Sequence, residues 1–216
     1  MIRFFDLLFS FSLLILLFPL LLLVCIWNAL TGEHEIFYKQ TRIGKNGKQF
    51  EIIKFATMLK NSSELGTGGF TELNDFRFLP LGSFMRKTKI NELPQLLNIL
   101  RGEMSLVGFR PLAKVSFNRV LEIGDKTTYS KMPGITSPAS IFLRNEEQIL
   151  MKVEDKQKHY DEYILPFKVL LDEWWAKNNS VFNYFAILFL TALSLFLPFH
   201  ILPIKILRNF PKTNLF

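Results

Sequence analysis

Residues 86–111 read RKTKINELPQLLNILRGEMSLVGFRP, and the rest of the chain is organised around this stretch. Leu93, Leu96, Leu97 and Leu100 recur at i, i+3, i+4 and i+7, the spacing of one apolar helix face. Asn91 stands where an N-cap belongs, and Pro94 falls in the first turn, where its missing N–H costs little. Gly102 follows the periodic run and can close it. The helix start is then expected to face away from the core, turning Asn91, Glu92 and free backbone N–H groups outward. A carboxylate at a dipole-positive helix end, with Arg86, Lys87 and Lys89 just before it, has the makings of a phosphate-handling site. A capped, solvated helix start is the plainer account of the same residues.

Charge and hydropathy are spread unevenly around this stretch. The 216 residues suit one compact domain plus membrane elements. Hydrophobic residues make up 49% of the chain against 21% charged, and the apolar excess sits at the two ends. This points to membrane attachment of an ordinary polar domain. The net charge of +7 suits an anionic membrane surface and phosphorylated ligands. Nucleic acid is not expected as a partner of a chain tethered by apolar ends. Cys25 is the single cysteine, so no intrachain disulfide forms, and the scattered His34, His159 and His200 give little support to a histidine metal cluster.

Leu7 to Gly32 carries no charge, and as one helix it would measure about 39 Å, enough to cross a ~30 Å hydrocarbon core. Pro19 lies near its middle, and an interior proline costs roughly 3 kcal/mol and kinks the helix. A break there leaves two halves of roughly 18 Å that could dip into one leaflet and return, with the Ser10 or Ser12 hydroxyls as partners for freed carbonyls. A straight or kinked spanning helix is the reading that these residues favour by themselves. The polar region starts near Glu33, with strands expected over Ile36–Gln40 and Phe50–Met58 about an Asn46-Gly47 turn. Lys39, Arg42, Lys45 and Lys48 follow the apolar run closely and place this region in the cytoplasm, though each reads singly as a solvated hairpin charge. Lys54 ends an apolar strand and is a compact donor for phosphate oxygens.

Asn61 to Asp75, with Gly66, Gly68 and Gly69, reads as a loop. Arg110 sits in the rigid Gly108–Pro111 turn, suited to hold its guanidinium fork against a diphosphate. Arg144 reads as a second fork, or as a structural partner of Glu146 or Glu147. Leu112–Ile123, Glu146–Ile164 and Pro166–Lys177 read as helices. Trp174 and Trp175 suit a membrane–water boundary or an ordinary core. Tyr184 to Ile204 is apolar enough to insert, with Pro198 and Pro203 interrupting a span.

The apolar N-terminus, KFATM at Lys54–Met58, the quoted stretch and MPGIT at Met132–Thr136 occur in one order, and together they resemble the bacterial sugar transferase family. These are the monotopic phosphoglycosyl transferases that start glycan assembly on polyprenyl phosphate. The chain departs from the family pattern at several positions. The family's Asp-Glu pair reads Asn91-Glu92, its KFRTM or KFKTM reads KFATM, its GPRP reads Gly108-Phe109-Arg110-Pro111, and its PGITGWAQ reads PGITSPAS.

The resemblance implies an α+β fold. Residues 1–32 would form a re-entrant membrane helix broken at Phe18-Pro19, where the family has Ser-Pro. Residues 33–180 would form a small cytoplasmic sugar-phosphate transferase domain with a β-hairpin and several helices, and residues 181–216 a membrane-associated C-terminal segment. The expected location is the cytoplasmic face of the bacterial inner membrane. The implied reaction transfers a sugar-1-phosphate from a UDP-sugar to undecaprenyl phosphate and releases UMP, starting assembly of a polysaccharide or glycoprotein glycan. Glu92 and Asn91 then occupy the catalytic and Mg2+-binding positions, with Lys54, Arg86, Arg110 and Arg144 on the substrate.

Asn91 cannot act as the family's aspartate does, because a carboxamide is a poor nucleophile with a single oxygen to offer. Glu92 would serve as nucleophile, or as base for direct attack by the lipid phosphate. Two other readings stay open: an inactive, membrane-bound relative that binds a lipid-linked sugar or docks a downstream glycosyltransferase, and an ordinary enzyme altered at position 91. Membrane lipids are expected partners, as is a second copy paired through the membrane helices.

Overall fold

The computed structural model describes residues 1–62, 64–65, 75–197 and 204–211. The loop glycines Gly66, Gly68 and Gly69, and Pro198, His200 and Pro203, lie outside the described residues.

The fold is α+β, with many helices packed around two small sheets. Helices α1 (Ile2–Leu16) and α2 (Phe18–Leu30) meet at Leu17 with a bend of 64°. Pro19 falls in the first turn of α2, where its ring blocks continuation of α1 and its missing N–H is harmless. Among the described residues, neither Ser10 nor Ser12 bonds a carbonyl freed at the bend, and the buried Ser10 hydroxyl has no partner. Both outer ends of this pair are instead tied to the rest of the protein. Arg3 donates to the carbonyls of Ile99 (2.6 Å) and Met104 (3.2 Å). Asp6 accepts on Oδ1 from the Ser105 hydroxyl, the Leu106 amide and the Tyr184 hydroxyl. At the far end, Asn28 donates to Ala56 O at 3.0 Å.

Strands β1 (Phe37–Ile43) and β2 (Gln49–Phe55) form the antiparallel hairpin, with Asn46 left-handed at φ 57° in the turn. The ladder runs further toward the turn than the hydropathy pattern suggests, through Ile43 opposite Gln49. After α3 (Gly82–Lys87), a single 3-10 turn, Ile90–Glu92, leads through Pro94 into α4 (Gln95–Leu100). Asn91 therefore sits inside a turn and caps nothing. The buried side of α4 also differs from the leucine stripe: Gln95, Leu96, Asn98 and Ile99 face inward, while Leu97 is exposed. Asn98 explains the rotation. Its carboxamide accepts from Ile53 N and donates to Glu51 O, locking α4 onto the edge of β2. Gly102, at φ 83°, ends the helix as expected, with Gly102 N bonding Ile99 O and Glu103 N bonding Asn98 O.

Strand β3 (Ser105–Val107) pairs in parallel with β4 (Gly134–Thr136), which brings the GFRP turn beside the PGIT turn. A Cβ on Gly108 would collide with the Met132 carbonyl, and one on Gly134 with the Gly108 amide, so this approach requires glycine on both sides. Helices α5 (Lys114–Ile123), α6 (Pro138–Phe142), α7 (Glu146–Met151), α8 (Lys156–His159), α9 (Leu165–Asn178) and α10 (Val181–Ser194) complete the chain. A break at residues 152–155, capped by Asp155, splits the single helix expected over Glu146–Ile164. Trp174 and Trp175 are core residues rather than boundary anchors, at 6% and 3% exposure.

Candidate active site

Hairpin, 3-10 turn and GFRP turn converge on one small cleft. Period-two alternation puts Arg42 of β1 on the same sheet face as Lys54 of β2, since Arg42 pairs with Phe50 and Tyr38 with Lys54. The 3-10 turn presents Glu92 to this face, α4 adds its first residue Gln95, and the Gly108–Gly134 approach delivers Arg110. These five polar side chains line the cleft together with Ile52, Pro111, Gly134 and Ile135.

Glu92 is the centre of the arrangement. Its side chain is 12% exposed, and Lys54 Nζ and Arg110 Nη2 each stand 3.5 Å from its Oε1. Oε2 carries no partner among the described residues and is the oxygen left for a ligand. Burial by itself pushes the Glu92 carboxyl up, but Arg110, Lys54 and Lys89 overcome it and hold the pKa down at about 2. Glu92 is thus an anion at every physiological pH. Such a weak base is poorly matched to proton abstraction near neutrality but remains able to attack phosphorus or meet a cation. Lys54 moves the other way: burial lowers it, Glu92 pulls it back, and Arg110 and Arg42 oppose Glu92, leaving it at about 8. Burial and Arg110 lower Arg42 as well. The cleft sets three cations against one carboxylate, a surplus of positive charge that a diphosphate would neutralise.

The site residues expected from sequence divide into two groups. Lys54, Glu92 and Arg110 are brought together. Arg86 lies elsewhere, with its guanidinium 3.4 Å from Met58 Sδ and 5.6 Å from the centre of the Phe78 ring. Arg144 is exposed in the turn after α6 and does not line the cleft, and the expected partner Glu146 binds Lys168 at 2.7 Å instead. Asn91 is 7% exposed and outside the cleft lining, with its Oδ1 buried and without a hydrogen-bond partner among the described residues. Arg42 and Gln95 are the residues that sequence reasoning missed. Strand alternation from Lys54 was the available signal for Arg42. Gln95 is 3% exposed and lines the cleft, so its carboxamide is placed to hydrogen-bond a ligand there.

A divalent cation has few protein ligands here. Among the described residues, no three His, Cys, Asp or Glu side chains gather to hold one. The free Glu92 Oε2 still fits magnesium arriving on a diphosphate, because this hard ion takes one or two carboxylates and completes its shell from phosphates and water.

Residues 1–198 match the family model described as bacterial sugar transferase. The undecaprenyl-phosphate galactose phosphotransferase of Salmonella typhimurium is 33% identical over 205 residues, covering 88% of this chain and 39% of the relative. The UDP-glucose:undecaprenyl-phosphate glucose-1-phosphate transferase of Escherichia coli is 34% identical over 171 residues, 77% of this chain and 36% of the relative. The exopolysaccharide production protein ExoY of Sinorhizobium fredii is 36% identical over 168 residues, 70% of this chain and 73% of the relative. The chain thus spans about two fifths of the length of the longer relatives.

Proposed function

The chain belongs to the bacterial sugar transferase family, and on that premise we propose that it transfers a sugar-1-phosphate from a UDP-sugar to undecaprenyl phosphate, releasing UMP. The observation that carries this reading is the grouping of Arg42, Lys54 and Arg110 about Glu92. The cations neutralise the donor's diphosphate and the charge that builds on the departing UMP. Glu92 Oε2 attacks the phosphorus bearing the sugar, the bond from that phosphorus to the UMP oxygen breaks, and an acyl phosphosugar remains on Glu92. An oxygen of the already ionised lipid phosphate then attacks the same phosphorus and releases the carboxylate, so neither step needs a base. In the resting complex the Glu92 carboxylate would meet a magnesium ion carried in on the diphosphate, which would supply further charge neutralisation, and Oε2 would leave that ion before it attacks.

The reading includes a membrane. Helices α1 and α2 are each shorter than a ~30 Å hydrocarbon core, and no single described helix is long and apolar enough to cross one. The pair is anchored at both outer ends to one domain, by Arg3 and Asp6 and by Asn28, while Phe11, Ile15, Leu16, Phe18 and Leu23 near the bend are exposed. This supports entry and return through one face, with the basic hairpin on the cytoplasmic side.

Purified full-length protein in detergent, given Mg2+, undecaprenyl phosphate and a panel of UDP-sugars, is expected to release UMP and to carry label from a sugar-labelled donor. Release without any labelled protein would replace the covalent route with direct attack by the lipid phosphate. No UMP with any donor, from folded protein, would favour the lipid-sugar-binding scaffold.

A further inference from the structure

A second cavity, of about 340 Å³ and walled mainly by apolar surface, shares no lining residue with the catalytic cleft. It opens where the start of α1, the turn at Lys45–Gly47 and the segment Ser130–Met132 come together. Arg3, Lys45 and Lys131 contribute cations from three separate elements, and Asp6 is the one carboxylate in the lining. Asp6 accepts on its Oδ1 from three neutral donors, none of which cancels its charge, so the lining carries three cations against one anion. Arg3 is fixed by the carbonyls of Ile99 and Met104, so its charge is held in place. Lys45 and Lys131 have no recorded ion-pair partner among the described residues.

We propose that this cavity binds a phosphate ester, its phosphate held by Lys45 and Lys131 at the rim and its organic part lying against Val107, Met132 and Trp175. A wall of apolar side chains beside unpaired ammonium groups strengthens their pull on an anion relative to open water. The volume falls in the ordinary range for a small-ligand pocket. The cavity also lies at the roots of α1 and α10, whose outer faces expose Phe4, Phe11, Phe182 and Phe189. A phospholipid headgroup and a soluble phosphate ester are therefore both within reach, and the shared chemistry is the phosphate.

The test uses full-length protein in a non-ionic detergent, titrated with dihexanoyl-phosphatidylglycerol and separately with glycerol phosphate, each followed by phosphorus NMR. Saturable binding is expected, to survive Arg110→Ala and to weaken about tenfold or more in Lys45→Ala/Lys131→Ala, since two charge-assisted contacts are lost. Near-ultraviolet circular dichroism from the tryptophans checks that the variants fold. Binding of the phosphatidylglycerol alone assigns the cavity to lipid headgroups, and equal binding of glycerol phosphate assigns it to soluble esters. No saturable binding overturns the proposal, as does binding indifferent to the lysine pair or lost only with Arg110.

Discussion

Glu92, at the floor of a cleft, and Asp172, in the core, are both largely withdrawn from water, yet the fold holds one ionised and the other protonated. Burial pushes both upward. At Glu92, Arg110 and Lys54 reverse that push and carry the pKa to about 2. At Asp172 only Lys168 opposes it, from a side chain that also binds Glu146 at 2.7 Å, and the pKa rises to about 8. Among the described residues, Asp172 Oδ1 and the neighbouring Tyr129 hydroxyl are both buried without hydrogen-bond partners. Loss of water at both sites thus gives opposite charge states, and the number of cations within reach decides which one. A carboxylate held anionic in a cleft is equipped for chemistry, whereas a neutral one inside α9 is a packing element that weakens the fold at high pH.

The largest expected effect comes from removing the anion. Glu92→Gln should lower UMP release by about a thousandfold or more in a protein that still folds, with a lower melting temperature because Lys54 and Arg110 lose their carboxylate. Parent-like turnover would take Glu92 out of the mechanism. Removing the cation that holds Glu92 down comes next: Arg110→Ala should cut kcat/KM by about a hundredfold. It should also raise the Glu92 pKa, so that activity fails at a higher pH on acidification. An unchanged acid limb would mean that Arg110 does not control this charge.

The two carboxylates should also pull stability in opposite directions with pH. Glu92 stabilises the fold above its ordinary value of 4.5, and this contribution fades as pH falls toward 2. Asp172 keeps its proton in the folded state up to about 8, whereas the unfolded chain releases it near 3.8. Stability should therefore fall as pH rises through that window, by up to about 1.4 kcal/mol per pH unit. Asp172→Asn should raise the melting temperature at pH 8 more than at pH 5; equal shifts would show that Asp172 is ionised in the folded protein. The smallest effect concerns Gln95. Gln95→Met keeps the volume but removes the polar atoms, and should lower kcat/KM about tenfold with no loss of stability. Parent-like kinetics would leave the Gln95 carboxamide without a role at the cleft.

Much of this architecture could be read from local pattern. Pro19 marks the bend because its ring excludes the preceding carbonyl, Asn46-Gly47 marks the hairpin because the turn requires left-handed backbone, and Gly102 marks the end of α4 for the same reason. The motif lysine, glutamate and arginine were likewise legible as Lys54, Glu92 and Arg110. The leucine stripe misled because it counts only apolar residues, and α4 is oriented by a polar one, Asn98, whose partners lie more than forty positions away in β2. Arg86 and Arg144 do not line this cleft, since adjacency to a motif says nothing about direction, and the Arg86 guanidinium lies beside Met58 and Phe78.

Local sequence determined where the chain bends, turns and stops, and which chemical groups it carries, since these follow from each residue's own backbone and side chain. Only the tertiary structure decided which of those groups meet. The parallel β3–β4 pairing sets Gly108 against Gly134 and so brings Arg110 to Lys54 and Glu92. The charge on Glu92 follows from that meeting, because a pKa depends on neighbours in space rather than neighbours in sequence.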